Sequence, residues 1–207
     1  MDGMEGAAPP SAPRRLLLVR HAATEWTAEG RYQGRRDPPL SAAGCLEAAR
    51  LATALAGRPI GLIISSPLCR ALATARPIAA ATGAALRIDE RLVEIAYGDW
   101  EGLTQAEVKA RFPDELRSWK RTPATARPPA GETLAEARAR LEAALADLPA
   151  RTGGAEVAVV THDLLIRLAL LMANGEGLER VRSIAVPPAS AHPLLLRGGR
   201  LAPAAAA

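Results

Sequence analysis

Lysine is nearly missing from this chain. Lys109 and Lys120 stand alone among 26 basic residues, which leaves 24 arginines. Aromatic residues make up only 3% of the 207 positions, so any core must be assembled from Ala, Leu, Val and Ile. The two cysteines, Cys45 and Cys69, are too few for a disulfide framework or a zinc site. They are expected to be small buried hydrophobes in a reducing compartment. No apolar run approaches the roughly 20 residues that span a bilayer. The longest, Leu164 to Ala173, is interrupted by Arg167. The amino end carries Asp2 and Glu5 and then prolines, not the basic start of a secretory signal, so a cytoplasmic location with no membrane partner is expected. The net charge of +4 is dispersed along the chain, which gives no basic block for nucleic acid. With 49% hydrophobic and 23% charged residues, wholesale disorder is excluded.

The length fits one domain. Residues 1–13, rich in Ala and Pro, cannot bury enough surface to order themselves and are expected to be a disordered tail. Residues 14–202 are expected to form a single domain, with Pro203 and the terminal alanines frayed. Leu16 to Val19 is a continuous apolar run of the buried parallel-strand kind. Ser41 resembles an N-cap for a helix with Ala48, Leu51, Ala52 and Leu55 on one face. Ile60 to Ile64 predicts a second strand, Pro67 to about Ala81 a second helix, and Leu86 to Ile88 a short strand. Thr104 to Arg111 predicts a short helix stopped before Pro113, and Thr122 to Pro129 a loop. Thr133 and Glu136 form a capping box for a helix carrying Leu134, Leu141, Leu145 and Leu148. Val157 to Val160 is another buried strand, followed by an apolar helix ending near Asn174-Gly175. Val181 to Val186 and Pro193 to Leu196 read as closing strands. This alternation predicts an α/β three-layer sandwich, with a mainly parallel central sheet and helices on both faces.

Three predicted strands end in polar residues: Arg20-His21, Ser65-Ser66 (with Arg70 one helical turn on) and Thr161-His162. Ligands bind at the carboxyl edge of an open parallel sheet, so residues distant in sequence would meet at one rim. Helix N-termini there favour an anion, and the planar fork of arginine matches phosphate.

These residues resemble the signature blocks of the histidine phosphatase superfamily, in its phosphoglycerate mutase-like branch. Leu18-Val19-Arg20-His21-Ala22 is similar to its Arg-His-Gly signature. Gly30-Arg31-Tyr32-Gln33-Gly34 with Asp37, Pro39-Leu40-Ser41 and Gly44 follows the next block, and Ser65-Ser66-Pro67-Leu68-Cys69-Arg70-Ala71 the one after. Arg91 to Gly102, Pro129 to Thr133 and Val159 to Asp163 complete the order, so the resemblance runs from about residue 15 to 200. It implies that His21 takes the phosphoryl group as a phosphohistidine, while Arg20, Arg70 and His162 surround its oxygens. Glu94 is implied as proton donor to the leaving oxygen, with Glu101 the nearby competitor. Thr27, Arg31, Gln33, Gly34 and Asp163 join Arg20 and Arg70 as phosphate- or substrate-binding positions. No cofactor and no metal are implied. Four positions depart from the family's habit. Ala22 stands where glycine is usual and Ala23 where Glu or Gln is common. Thr27 stands where asparagine is frequent, and Asp163 where glycine is. An acid at 163 would repel an anion unless it pairs with an arginine such as Arg167.

The expected activity is hydrolysis of a small phosphorylated metabolite. A cofactor-dependent phosphoglycerate mutase is the alternative the resemblance offers, but in that family a true mutase is associated with a longer insertion than the 68 residues from Glu94 to His162. A catalytically weak phosphate-ligand binding protein and a metal-dependent hydrolase are the readings from other classes. For the last, His21, Glu94, His162 and Asp163 lack the local spacing of a metal site. The three histidines include His192, which lies outside every block and is expected to be ordinary. Trp26, Tyr32, Tyr97 and Trp100 line a pocket or simply pack loops. A homodimer is the expected oligomeric form.

Overall fold

The protein is described by a computed structural model covering residues 13–149 and 154–204. The expected tail therefore lies outside the described residues, apart from Pro13. Six strands form one sheet in the order β3-β2-β4-β1-β5-β6. The strands are β1 (Arg14–Arg20), β2 (Ile60–Ser65), β3 (Ala85–Ile88), β4 (Glu156–Thr161), β5 (Ala191–Arg197) and β6 (Arg200–Pro203). β1, β2, β3 and β4 run parallel, and β5 and β6 close one edge antiparallel. All six residues of β4 are buried, as its central place requires.

Strand periodicity divides the core into two layers. Leu17, Val19, Ile63, Ala158 and Val160 face α2 (Ala42–Leu55) and α3 (Cys69–Thr82), meeting Ala52, Leu55, Ala71, Ala75 and Ile78. Leu16, Leu18, Leu62, Ile64, Val157 and Val159 face the other way. They pack with Leu134, Leu141 and Leu145 of α6 (Leu134–Ala146) and with Ile166 and Leu168 of α7 (Asp163–Asn174). The predicted caps are present: Ser41 Oγ accepts from the Gly44 amide at 3.0 Å, and Thr133 and Glu136 cap each other. Gly44 is fixed by space, since a Cβ there would stand 1.9 Å from the Ala23 carbonyl oxygen. This is the three-layer α/β sandwich expected from the alternation.

Five details differ from the sequence expectation. Val181 to Val186 is no strand, because Leu178–Ser183 winds into 3₁₀ turns and the free edge of β1 is already taken by β5. Pro203 is not frayed; it pairs with Leu194 in β6, which returns from β5 through Gly198-Gly199, both at positive φ as a two-residue hairpin turn demands. The helix before Pro113 stops as expected, but Pro113 also opens a further helix that the sequence did not announce, α5 (Pro113–Arg121), where a missing N–H costs nothing. That helix follows α4 (Gln105–Arg111), and a four-residue helix, α1 (Glu25–Ala28), interrupts the polar stretch before Leu40. Helix α3 begins at Cys69, two residues beyond Pro67, because Asp37 receives the Cys69 amide on both carboxylate oxygens at 2.9 Å. Neither cysteine is a buried hydrophobe: Cys45 is exposed and Cys69 half-buried, its thiol pushed up to about 11 by partial burial and Asp37.

Candidate active site

The site is assembled by backbone bonds that extend the sheet past its carboxyl edge. The His21 amide donates to Thr161 O at 3.0 Å, and the Ser66 amide donates to Val160 O at 2.9 Å. These bonds align the ends of β1, β2 and β4 side by side. The His21 and His162 rings come to 5.1 Å between centroids. A cavity of 430 Å³ opens above them, lined among others by Arg20, His21, Thr27, Gln33, Arg70, Glu94, Tyr97 and Asp163.

His21 is nearly inaccessible apart from this cavity, and its Nδ1 lies 2.7 Å from the Ala22 carbonyl oxygen. A carbonyl can only accept, so Nδ1 carries the proton and Nε2 presents a lone pair. Burial, then the charges of Arg70 and Arg20, hold the ring's pKa well below the usual histidine value. The ring is therefore neutral at pH 7. Ala22, the departure from glycine, is accommodated without space to spare: it is fully buried and its amide donates to Thr74 Oγ1 at 3.0 Å.

Arg70 is a wholly buried guanidinium. Its Nη2 donates to Gly34 O and its Nη1 to Arg36 O, each at 2.7 Å, with Asp37 3.5 Å away. Gly34 adopts φ +54°, and a Cβ there would collide with the Glu101 carboxylate. Arg20 donates Nη1 to Val186 O and lies 3.5 Å from Asp163. Among the described residues, five buried side-chain polar atoms lack a partner, and four belong here: Arg20 Nε, Arg70 Nε, His162 Nδ1 and Gln33 Oε1. Unpaired buried polar groups are costly, and the two guanidinium Nε atoms can only donate, so their presence in one site marks a place prepared for a ligand rich in acceptors.

Glu94 is buried on the cavity wall, accepting the Ile95 amide at 3.0 Å and the Leu164 amide at 3.3 Å. Burial and the neighbouring Asp163 charge raise its pKa, against those amides and Arg70. Glu101, the competing acid, is occupied as a latch: it receives the amides of Arg35, Arg36 and Tyr97. Asp163 does pair with Arg167, through two contacts of 3.1 and 3.0 Å, so its charge is partly neutralised at the rim.

The cavity thus gathers every residue named from the sequence as catalytic or phosphate-binding except His162, which lies behind His21, fully buried. Two gathered residues are already engaged. Thr27 Oγ1 accepts the Thr24 amide at 3.1 Å and Gln33 Nε2 at 3.0 Å. Arg31 turns to Glu29, Glu107 and the Gly102 carbonyl. His192 is ordinary, meeting Ser190 Oγ at 2.8 Å away from the cavity. Of the aromatics, Trp26, Tyr32 and Tyr97 line the wall and Trp100 is buried behind it. The sequence reading missed Gln105 on the wall, which carries no local signal. It placed Ser66 at the rim but gave it no role, and Ser66 Oγ lies 2.8 Å from His162 Nε2. Among the described residues, no group of three or more His, Cys, Asp or Glu side chains is placed to hold a metal ion, and no helix is long and apolar enough to cross a membrane.

Residues 16–205 match a family model described as the histidine phosphatase superfamily, branch 1. Phosphoserine phosphatase 1 of Hydrogenobacter thermophilus is 37% identical over 153 residues, covering 74% of this chain and 72% of that protein. A mycobacterial glucosyl-3-phosphoglycerate phosphatase in complex with VO3 superposes with a TM-score of 0.79 at 32% identity, over 87% of this chain and 90% of the other. Bacillus stearothermophilus YhfR superposes with a TM-score of 0.86 at 30% identity, over 92% of this chain and 95% of the other.

Proposed function

The chain belongs to branch 1 of the histidine phosphatase superfamily, and from that premise we propose that it is a phosphomonoesterase working through a phosphohistidine on His21. The observation that carries this reading is the neutral His21 ring, its Nε2 freed by the Nδ1–Ala22 bond, beside two guanidiniums whose Nε atoms have no partner. Nε2 attacks phosphorus in line, and the bond from phosphorus to the leaving oxygen breaks with its electron pair. Glu94, whose pKa burial raises, gives that oxygen a proton. Water then attacks the phosphohistidine, its proton passes to the Glu94 carboxylate, and the P–N bond returns its pair to Nε2. Arg20, Arg70 and His162 stabilise the equatorial oxygens of a loose transition state, where electrostatics do most of the catalysis. The chemistry rests on side chains, with no metal invoked.

The substrate is a small phosphorylated metabolite. Phosphoserine and glucosyl-3-phosphoglycerate, named for similar proteins, are the first compounds to test. Hydrolysis is preferred to mutase transfer because the rim stays open to water: Trp26, Thr27 and Arg31 on the cavity wall are each partly exposed.

The test is turnover of a panel of phosphate monoesters, read as released phosphate, with chemical trapping of an acid-labile phosphoenzyme. His21→Ala is expected to lower kcat/KM by about 10³-fold or more and to abolish trapping. Unchanged turnover would remove His21 as the nucleophile, and phosphoryl transfer to a second substrate position without release of phosphate would favour the mutase. The rate should fall as pH rises through the elevated pKa of Glu94, a limb absent in Glu94→Gln.

A further inference from the structure

His162 presents a hydrogen-bonding puzzle that the phosphoryl-transfer reading leaves open. Its ring is fully buried, Nε2 lies 2.8 Å from Ser66 Oγ, and Nδ1 has no partner at all. A neutral imidazole carries one proton, so one nitrogen donates and the other accepts. If Nε2 held the proton, Nδ1 would be a buried lone pair a few ångströms from His21, and would repel a phosphoryl oxygen. If Nδ1 holds it, the ring becomes a donor suited to that oxygen, and Ser66 must then be the donor to Nε2.

The surroundings of Ser66 favour the second arrangement. Its Oγ already accepts, at 3.3 Å, from the amide of Leu68, the N-cap residue of α3. The hydroxyl proton is thereby left for a different partner, and among the described residues His162 is the acceptor within reach. Ser66 is itself fully buried and anchored by its amide to Val160 O at 2.9 Å. The adjacent Ser65 cannot replace it, because the Ser65 hydroxyl donates to the Ser66 carbonyl at 2.9 Å.

We propose that Ser66 is a positioning residue: by donating to His162 Nε2 it fixes the tautomer with the proton on Nδ1, turning a buried neutral histidine into a donor for the phosphoryl group. The donor chain runs from the Leu68 amide through the Ser66 hydroxyl and the imidazole to the substrate. It links the start of the helix that carries Arg70 to the second histidine. The assignment rests on the reading of the site as a phosphoryl-transfer centre, yet its decisive measurement does not depend on turnover.

That measurement is a long-range ¹H–¹⁵N correlation spectrum of the full chain, free and with inorganic phosphate. With only three histidines the assignment is tractable. The expected result is a protonated Nδ1 and a pyridine-type Nε2 for His162 in the wild-type protein. In Ser66→Ala the fixed tautomer should be lost and kcat/KM should fall by up to about 10²-fold, the cost of one preorganised donor, while His192 is unaffected. A wild-type His162 protonated on Nε2 overturns the proposal, whether or not Ser66→Ala folds. A Ser66→Ala protein that keeps the Nδ1-protonated signature overturns it as well. Failure of the phosphatase reading shows differently, as absent turnover and absent phosphohistidine with the wild-type tautomer unchanged.

Discussion

The two faces of the sheet are built from different materials. Beneath α2 and α3 the layer is aliphatic and small, with Ala52, Ala71, Ala75 and Ala158 set among Leu, Val and Ile. On the opposite side lie five of the chain's six aromatic residues, Tyr32, Tyr97, Trp100, Phe112 and Trp119. Four of them form a closed ring of contacts: Tyr32 with Tyr97 and Trp100, and Trp119 with both of those, at centroid separations of 4.9 to 6.1 Å. The alanine face lets helix and strand backbones approach closely, which suits a layer that must hold Arg70 against the ends of β1 and β4. The aromatic lobe spends the few large side chains available on shaping the cavity wall. Precision of the charged groups therefore depends on one layer and the shape of the wall on the other.

That division can be broken from either side. Trp100→Ala, in the middle of the ring and fully buried, should cost about 3–5 kcal/mol of stability, read by denaturant unfolding. Surviving enzyme should show mainly a raised KM for bulky phosphate esters. Ala71→Leu overpacks the other layer and should cost less, about 1–3 kcal/mol. Because Ala71 follows Arg70 directly, this variant should lose kcat on even the smallest phosphate ester. Equal kinetic effects from the two variants would show that the layers are not specialised. A third test concerns pH. His21 and His162 both have pKa values held well below 6.5 in the folded state, first by burial, so the unfolded chain binds protons the native one refuses. Stability is then full above about pH 6.5 and declines below it, by up to about 1.4 kcal/mol per pH unit for each histidine, towards the depressed native values. Denaturation midpoints measured from pH 7.5 to 5 should show this slope, and His162→Gln should remove part of it.

Much of this was legible in the chain. Runs such as Leu16–Val19 and Val157–Val160 are short, continuous and apolar, and a strand buried on both faces can be little else. The polar residue that ends each run marks the sheet's rim, so Arg20, His21, Ser66 and His162 could be placed together before any coordinates. Elements set by context were less legible. Val181 to Val186 is apolar enough for a strand, but the sheet edge it would need belongs to β5. Pro113 looks like a stop, yet at the first position of α5 it is a start. Arg31 and Thr27 read as ligand contacts from their block, but nearby carboxylates and a capping box claim them first.

The sequence by itself determined the order of strands and helices, the two-sided core and the identities of the residues at the rim, because periodicity and capping act over a few neighbours. Only the tertiary structure decided which of those residues are free. Whether a guanidinium nitrogen, a carboxyl or an imidazole has a spare bond depends on partners dozens of positions away, as with Ser66 and His162, 96 residues apart. Burial then lowers the pKa of His21 and raises that of Glu94, since desolvation is a property of the packed interior and not of any local run of residues.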